Sequence, residues 1–339
     1  MITSNDFSLL IVTAANDPSR LALVYDSIRM NYPNNEIVIV YDNQACIGIN
    51  SADRNLIEIG TTERVYVSKG YNLALKHCTK TCFVFLHDDT VVAPNFLENI
   101  IPHISEQQFC NFTTVEPPLY NDPDTLKKPI RNFGRSTNTF NIVEFNDFCK
   151  HHIKQLKSHT EDSPYGGFFM AGYKKSIDSV NGFDESFQPY FYEDSDLMIR
   201  LHLAGFNFIH VLDSIVYHMG SLTSRTSADS AIAHDITRNI FIRKWKVPYE
   251  YIKKYTIDNN IPYKHIPYTI ITTNHTPEIK QVLDLFSTEN SSIIVYIDYS
   301  LMNDQDFLHI QTLPYLLQSI QENGDYEIGS LKIKVNSYE

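Results

Sequence analysis

The stretch SLLIVTAANDPSRLALVYDSIRMNYPNNEIVIVYDN, Ser8 to Asn43, decides the fold. Its first seven residues, Ser8 to Ala14, form an apolar run rich in β-branched side chains, the pattern of a strand buried on both faces. Asn16 to Ser19 supply turn and cap chemistry, and from Arg20 to Tyr32 apolar side chains recur at helical spacing. Glu36 to Asn43 is a second buried strand. Strand, helix and strand joined by short turns make a right-handed βαβ unit, and therefore a parallel sheet.

The pattern continues on the C-terminal side. ERVYVSKG, Glu63 to Gly70, predicts a third strand, YNLALKHC, Tyr71 to Cys78, a helix, and CFVFLHDD, Cys82 to Asp89, a fourth strand. The first hundred residues thus read as a doubly wound half-domain, a class that takes ligands at the carboxyl ends of its strands. Those ends carry Thr13 to Asp17, Asp42 with Asn43, and His87 to Asp89. From Glu116 to Arg135 the prolines Pro117, Pro118, Pro123 and Pro129 predict a loop. FNIVEFNDF, Phe140 to Phe148, reads as an edge strand, and HHIKQLKSHTEDSP, His151 to Pro164, as a surface or substrate-facing loop. Leu197, Leu201 and Ala204 mark one face of a helix that Gly205 ends. Past Val247, YTIITTN, TPEIKQVLDLF and SSIIVYIDYS predict a further strand, helix and strand. The expected division is residues 1–247 as one α/β domain and 248–339 as a smaller α/β extension.

Composition narrows the functional classes. A formal net charge of −12 opposes nucleic acid or an anionic membrane as partner. An anionic small substrate stays compatible if cations, including a divalent metal, neutralise it locally. The five cysteines are scattered without the paired short spacings of a zinc site, and read as reduced, mostly buried thiols. The N-terminus has no charged n-region, and its apolar run is too short for a signal peptide or a membrane span. A cytoplasmic chain is expected.

The chemistry concentrates in acids that end apolar runs. FVFLHDDTVV, Phe83 to Val92, carries a buried strand into His87, Asp88 and Asp89, and unpaired charge is costly to bury. Either the two acids cap the following turn or they hold a hard divalent cation, Mg²⁺ or Mn²⁺. A second cluster, Glu193, Asp194 and Asp196, opens a helix, where the dipole stabilises anions and Asp196 is spaced to pair with Arg200. Capping explains Asp196. It leaves Glu193 and Asp194, which follow the aromatic YFY run, as candidates for a general base on a cleft wall. His218 ends the apolar strand SIVYH, either as a structural histidine or as a third ligand beside the acidic pair.

In their order, NGFDESF, YEDSDLMIRLHLAGF and VYHMGS downstream of FLHDD resemble the family 2 glycosyltransferases of the GT-A fold, over roughly Leu9 to Trp245. The resemblance implies a GT-A, Rossmann-like, mostly parallel twisted sheet with helices on both faces. It places Asp89 on the last acid of the family's DxD motif, which holds a divalent metal on the nucleotide diphosphate, with Asp88 in the middle and His87 in place of the first acid. It assigns Thr13, Ala14, Asn16 and Asp42 to nucleobase and ribose, and Lys69 to Asn72 to the neighbourhood of the phosphates. Gly166 and Gly167 precede a strand near the donor sugar. Asp194 takes the place of the catalytic base of an inverting transfer, Glu193 sits beside it, and His218 helps to bind metal and diphosphate. The implied activity moves a sugar from a nucleotide donor, UDP-linked by family habit, to a hydroxyl on a glycan or protein. Two alternatives stay open: a degenerate copy that binds nucleotide sugar or glycan without turnover, which His87 keeps alive, and a nucleotidyltransferase that makes a nucleotide sugar.

Overall fold

Strand β1 (Phe7–Thr13) is the centre about which the sheet is laid. The computed structural model describes residues 2–14, 17–119, 121–163, 166–220, 230–245, 295–297, 324–328 and 331–335. After β1 the chain runs through α1 (Pro18–Asn31), β2 (Glu36–Tyr41), β3 (Leu56–Gly60), α2 (Tyr66–His77), β4 (Cys82–His87), β5 (Thr90–Val92) and α3 (Phe96–Ile100). It continues with β6 (Gln108–Val115), α4 (Ile142–Gln155), β7 (Thr160–Asp162), β8 (Met170–Tyr173), α5 (Lys174–Asp178), α6 (Glu193–Leu203), β9 (Asn207–His218) and α7 (Ser230–Trp245). The chain divides into two compact units, Met1–Ala233 and His234–Glu339.

In the first unit nine strands form one sheet in the order β3-β2-β1-β4-β8-β6-β9-β5, with β7 on β9. The β3, β2, β1 and β4 half is parallel throughout, as the βαβ reading requires. In the other half β6 and β9 are parallel, while β8 runs antiparallel to both β4 and β6. Alternation along β1 sends Leu9 and Ile11 to the face covered by Leu21, Val24 and Ile28 of α1. On the opposite face α2 comes close enough that a Cβ on Gly70 would lie 2.7 Å from Val12, and the Tyr71 ring meets Phe85 at 5.1 Å. Helices therefore cover both faces, and each fully buried Leu, Ile or Phe of this core contributes about 1.5–3 kcal/mol.

Two expected elements differ. The third strand is Leu56–Gly60, and Glu63 to Gly70 instead enters α2. The β-branched valines of that segment favour a strand locally, but the carboxylate of Asp42 accepts hydrogen bonds from the N–H groups of Val65 (2.6 Å) and Tyr66 (3.3 Å) and so starts a helix there. The predicted edge strand Phe140 to Phe148, with part of the loop predicted after it, is helix α4. Asn141 caps it by accepting from the N–H of Glu144, and Phe145, Cys149 and His152 fall on one buried face at helical spacing.

Four of the five cysteines are buried and all are free; Cys46 is exposed. In the second unit β10 (Val295–Ile297) lies parallel to β12 (Leu331–Val335), and β11 (Gly324–Ile328) pairs antiparallel with β12. The strand expected within SSIIVYIDYS is present as β10. The predicted strand YTIITTN and helix TPEIKQVLDLF lie outside the described residues.

Candidate active site

The sheet brings four strand ends together. Thr13 ends β1, and its hydroxyl donates to Asp88 Oδ2 at 2.6 Å. Its carbonyl accepts from the N–H of Asp42, the residue that follows β2, at 2.8 Å. Ala14 follows Thr13 and is half-buried, whereas Asn16 lies outside the described residues. Arg20, in the first turn of α1 and 6% exposed, places Nη2 3.4 Å from the same Asp88 oxygen. Burial and the neighbouring Asp89 push the Asp88 carboxyl up, against the pull of Arg20 and Thr13.

Asp89 is 3% exposed and hangs between β4 and β5. Thr90 pairs with His218 across β5 and β9, and the backbone carbonyl of Asp89 accepts from the N–H of Met219. That register sets His218 Nε2 3.2 Å from Asp89 Oδ1 and 3.4 Å from His87 Nδ1. His87 is itself clamped between the rings of Phe168 and Phe169, at 4.2 and 4.8 Å between centroids. Burial alone pushes Asp89 up, but His218, His87 and Arg20 hold its carboxyl well below the usual range. Burial opposes a charge on His218, yet Asp89 and Glu116 outweigh it and push the imidazole up to about 9.

His87, Asp89 and His218 offer ligand atoms that all lie within 4.8 Å of one another. Ligands about 2.1 Å from one ion and at right angles to each other sit about 3 Å apart, close to the 3.2 and 3.4 Å that separate His218 Nε2 from Asp89 and from His87. Two imidazoles and one carboxylate form a mixed nitrogen and oxygen set, which suits Mn²⁺ better than the hard, oxygen-seeking Mg²⁺. The residues thus fit a divalent cation, with His87 a member of the set.

The second acid cluster opens α6. Tyr192, just before the helix, has φ of 64° and Phe191 has φ of 82°, both in the left-handed region that costs side-chain-bearing residues energy. Asp194 is half-buried, and its Oδ1 accepts from the Ser195 N–H at 2.7 Å and the Ser195 hydroxyl at 3.3 Å. Glu193 is 7% exposed, and its Oε2 has no hydrogen-bond partner among the described residues. Burial and the charge of Asp194 push Glu193 up to about 8. Asp196 is fully buried and pairs with Arg200 at 2.8 Å, as the spacing predicted.

One atom reports on both clusters. The Tyr71 hydroxyl donates to the carbonyl of Leu86 in β4. Burial, followed by the negative charges of Asp88, Asp89 and Glu193, pushes this phenol well above its ordinary value. The acids at the end of β4 and the start of α6, over a hundred positions apart in the chain, thus push the Tyr71 phenol in the same direction. Phe168 touches His87 and Tyr71, and a Cβ on Gly166, two residues earlier, would strike Met198 of α6.

The remaining expected residues are distributed around this centre. Gly167 presents its carbonyl to the Asn111 amide at 3.1 Å. The Asp42 carboxylate is engaged by the start of α2 and by Arg64 at 2.9 Å. Lys69 is exposed on α2. Asn72 is spent on the NGFDESF loop, donating to the Phe183 carbonyl and Glu185 and accepting from the Phe183 N–H. That loop is fastened again where the Ser68 hydroxyl donates to the Phe187 carbonyl. Sequence reasoning passed over Arg20 and Glu116. Glu116 had a visible signal, since it closes the buried run QFCNFTTV just as the acids close FVFLH.

The family described as glycosyl transferase family 2 matches residues 9–180. No curated protein sequence matches the chain. Among solved structures, GalNAc-T7 with UDP, GalNAc and Mn²⁺ is 14% identical, with a TM-score of 0.49 over 75% of this chain and 54% of that one. Residues 1–349 of S. aureus TarS in complex with UDP are 13% identical, with a TM-score of 0.47 over 77% of each chain. This chain thus spans about half the length of the GalNAc-T7 chain. No described helix is long and apolar enough to cross a membrane.

Proposed function

The chain belongs to glycosyl transferase family 2, and on that premise we propose that it transfers a sugar, with inversion, from a UDP-linked donor to a hydroxyl of a glycan or protein. The observation that carries this reading is the grouping of His87, Asp89 and His218 at the strand ends, with ligand atoms that all lie within 4.8 Å of one another.

At the ends of β4 and β9, His87, Asp89 and His218 are the residues that would hold a divalent cation, Mn²⁺ in preference to Mg²⁺. When bound, such a cation supplies Lewis-acid stabilisation of the charge that develops on a departing diphosphate. Asp88, tied to Thr13 and Arg20, keeps the β4 end in place against β1 and α1. Thr13, Ala14 and Asp42 line the strand ends where the nucleoside is expected in an open α/β sheet. Lys69, Asn72 and Gly167 complete the expected donor surroundings, with Asn72 acting through the loop it holds.

At α6, Asp194 is the general base. Ser195 orients its carboxylate, and it accepts the proton of the attacking hydroxyl. Glu193 is suited to the opposite duty. A carboxyl pushed up to about 8 is mostly protonated at neutral pH and donates a hydrogen bond to acceptor or sugar oxygen. His87, which departs from the family's first acid, completes the ligand set, and this favours an enzyme over a degenerate copy. Residues 1–247 are proposed as the catalytic part and 248–339 as an accessory region.

The test is a screen of nucleotide sugars for nucleotide release with Mn²⁺ and with chelator. Release that depends on Mn²⁺ for one donor class is expected. Tight Mn²⁺-dependent UDP binding with no release from any donor points instead to the binding protein, and neither binding nor release overturns the reading.

A further inference from the structure

This inference rests on the reading of His87, Asp89 and His218 as a cation site. We propose that Glu116, backed by Lys128, is a positioning residue that fixes which nitrogen of His218 faces the cation. The register of the sheet creates the contact. β6 and β9 run parallel with Val115 opposite Tyr217, so the residues that follow, Glu116 just beyond β6 and His218 at the end of β9, lie side by side. Glu116 Oε1 lies 2.8 Å from His218 Nδ1, on the side of the ring away from Asp89 and His87.

Both oxygens of Glu116 are occupied. Oε2 lies 3.0 Å from Lys128 Nζ, which also lies 2.7 Å from Asp122. Lys128 reaches this position because the proline-rich segment after β6 doubles back. The Glu116 N–H donates to the Pro129 carbonyl and the Arg131 N–H donates to the Glu116 carbonyl, pinning the backbone on both sides. The carboxylate is 11% exposed and Lys128 33%, so the pair is shielded but not sealed.

The chemistry follows from the two ring nitrogens. A carboxylate that accepts Nδ1–H selects the tautomer with its lone pair on Nε2, orients the ring and makes Nε2 a stronger donor to a metal. Lys128 holds the second carboxylate oxygen, which keeps Glu116 from turning toward the cation itself. Loss of such an outer partner typically costs about 10–100-fold in metal affinity.

The experiment is Mn²⁺ titration of the metal-free chain of residues 1–339, with free Mn²⁺ followed by electron paramagnetic resonance. Glu116→Gln is expected to weaken Mn²⁺ binding about 10–100-fold with the melting temperature of the metal-free chain little changed. Gln has the shape of Glu, but Lys128 can only donate and so takes the Gln carbonyl oxygen, which turns the amide nitrogen, a donor, toward His218 Nδ1. A contact that merely packs survives the change and the tautomer selection does not. Unaltered Mn²⁺ affinity in a folded Glu116→Gln chain overturns the proposal alone. Lys128→Met, at a partly exposed side chain, is the second arm. It is expected to weaken Mn²⁺ binding by less than Glu116→Gln, and if Glu116→Gln does not fold, unchanged affinity in Lys128→Met overturns the proposal. A wild-type chain that binds no Mn²⁺, with UDP or without, overturns the cation reading and this inference together.

Discussion

Asp89 and Glu193 are both almost wholly buried carboxylic acids, 3% and 7% exposed, and their surroundings drive them in opposite directions. Burial pushes both up. Around Asp89, His218, His87 and Arg20 reverse that push, whereas around Glu193 the charge of Asp194 adds to it. The comparison shows how one residue class serves two tasks: a cation-lined strand end makes a carboxylate suited to a metal, and an apolar helix entry makes an acid suited to donating a proton or hydrogen bond.

The largest expected effect separates Asp194 from both. Asp194→Asn removes the proposed base, and sugar transfer should fall by about 10²–10⁴-fold. UDP affinity measured by calorimetry with Mn²⁺ should stay within about twofold, because the base acts on the acceptor. Asp89→Ala is expected to do the reverse, weakening Mn²⁺ binding beyond the roughly 100-fold that loss of an outer partner costs. Equal loss of UDP binding in both variants would erase the division of labour.

The acids themselves stood out in the sequence, Asp88 and Asp89 because they end a buried apolar run and Glu193 and Asp194 because they follow the aromatic YFY run, whereas the division of tasks between them came from the resemblance to family 2 glycosyltransferases. The parallel half of the sheet was legible for a related reason: β1, β2 and β4 are continuous apolar runs. What sequence reasoning missed lies where a distant side chain decides local structure. Glu63 to Gly70 carries valines that favour a strand, yet Asp42, more than twenty residues away, caps it into α2. Phe140 to Phe148 alternates well enough to read as a strand, and only its packing with Cys149 and His152 on one buried face marks it as helix. The role of Asn72 depends on the NGFDESF loop, more than a hundred positions on. Glu116 matters only because a register shift between Phe112 and Thr113 brings its strand level with the end of β9.

His87 sharpens the comparison at the cation end. Two imidazoles and one carboxylate are a softer set than two carboxylates and one imidazole. His87→Asp should therefore keep Mn²⁺-dependent activity while raising the ratio of Mg²⁺- to Mn²⁺-supported nucleotide release, by roughly tenfold. A ratio that stays put, in a folded variant that still binds Mn²⁺, would remove His87 from the ligand set.

The smallest effect tests the other end through stability. Glu193 stands at about 8 in the folded chain against an ordinary value of 4.5, so between those limits the folded state holds a proton that the unfolded state has released. The contribution of Glu193 to stability is therefore fully present below pH 4.5 and is lost as pH rises through about 8. Glu193→Gln carries the neutral shape at every pH and does not suffer this loss. Its melting temperature should match wild type near pH 5 and exceed it near pH 9, by on the order of 5 °C. Asp89→Asn is expected to show the opposite sign, because a carboxyl held low stabilises the fold above its unfolded value and ceases to do so only in acid. Parallel melting curves for wild type and Glu193→Gln from pH 5 to 9 would mean that Glu193 is ionised in the folded chain. The contrast between the two clusters would then be one of position and not of charge.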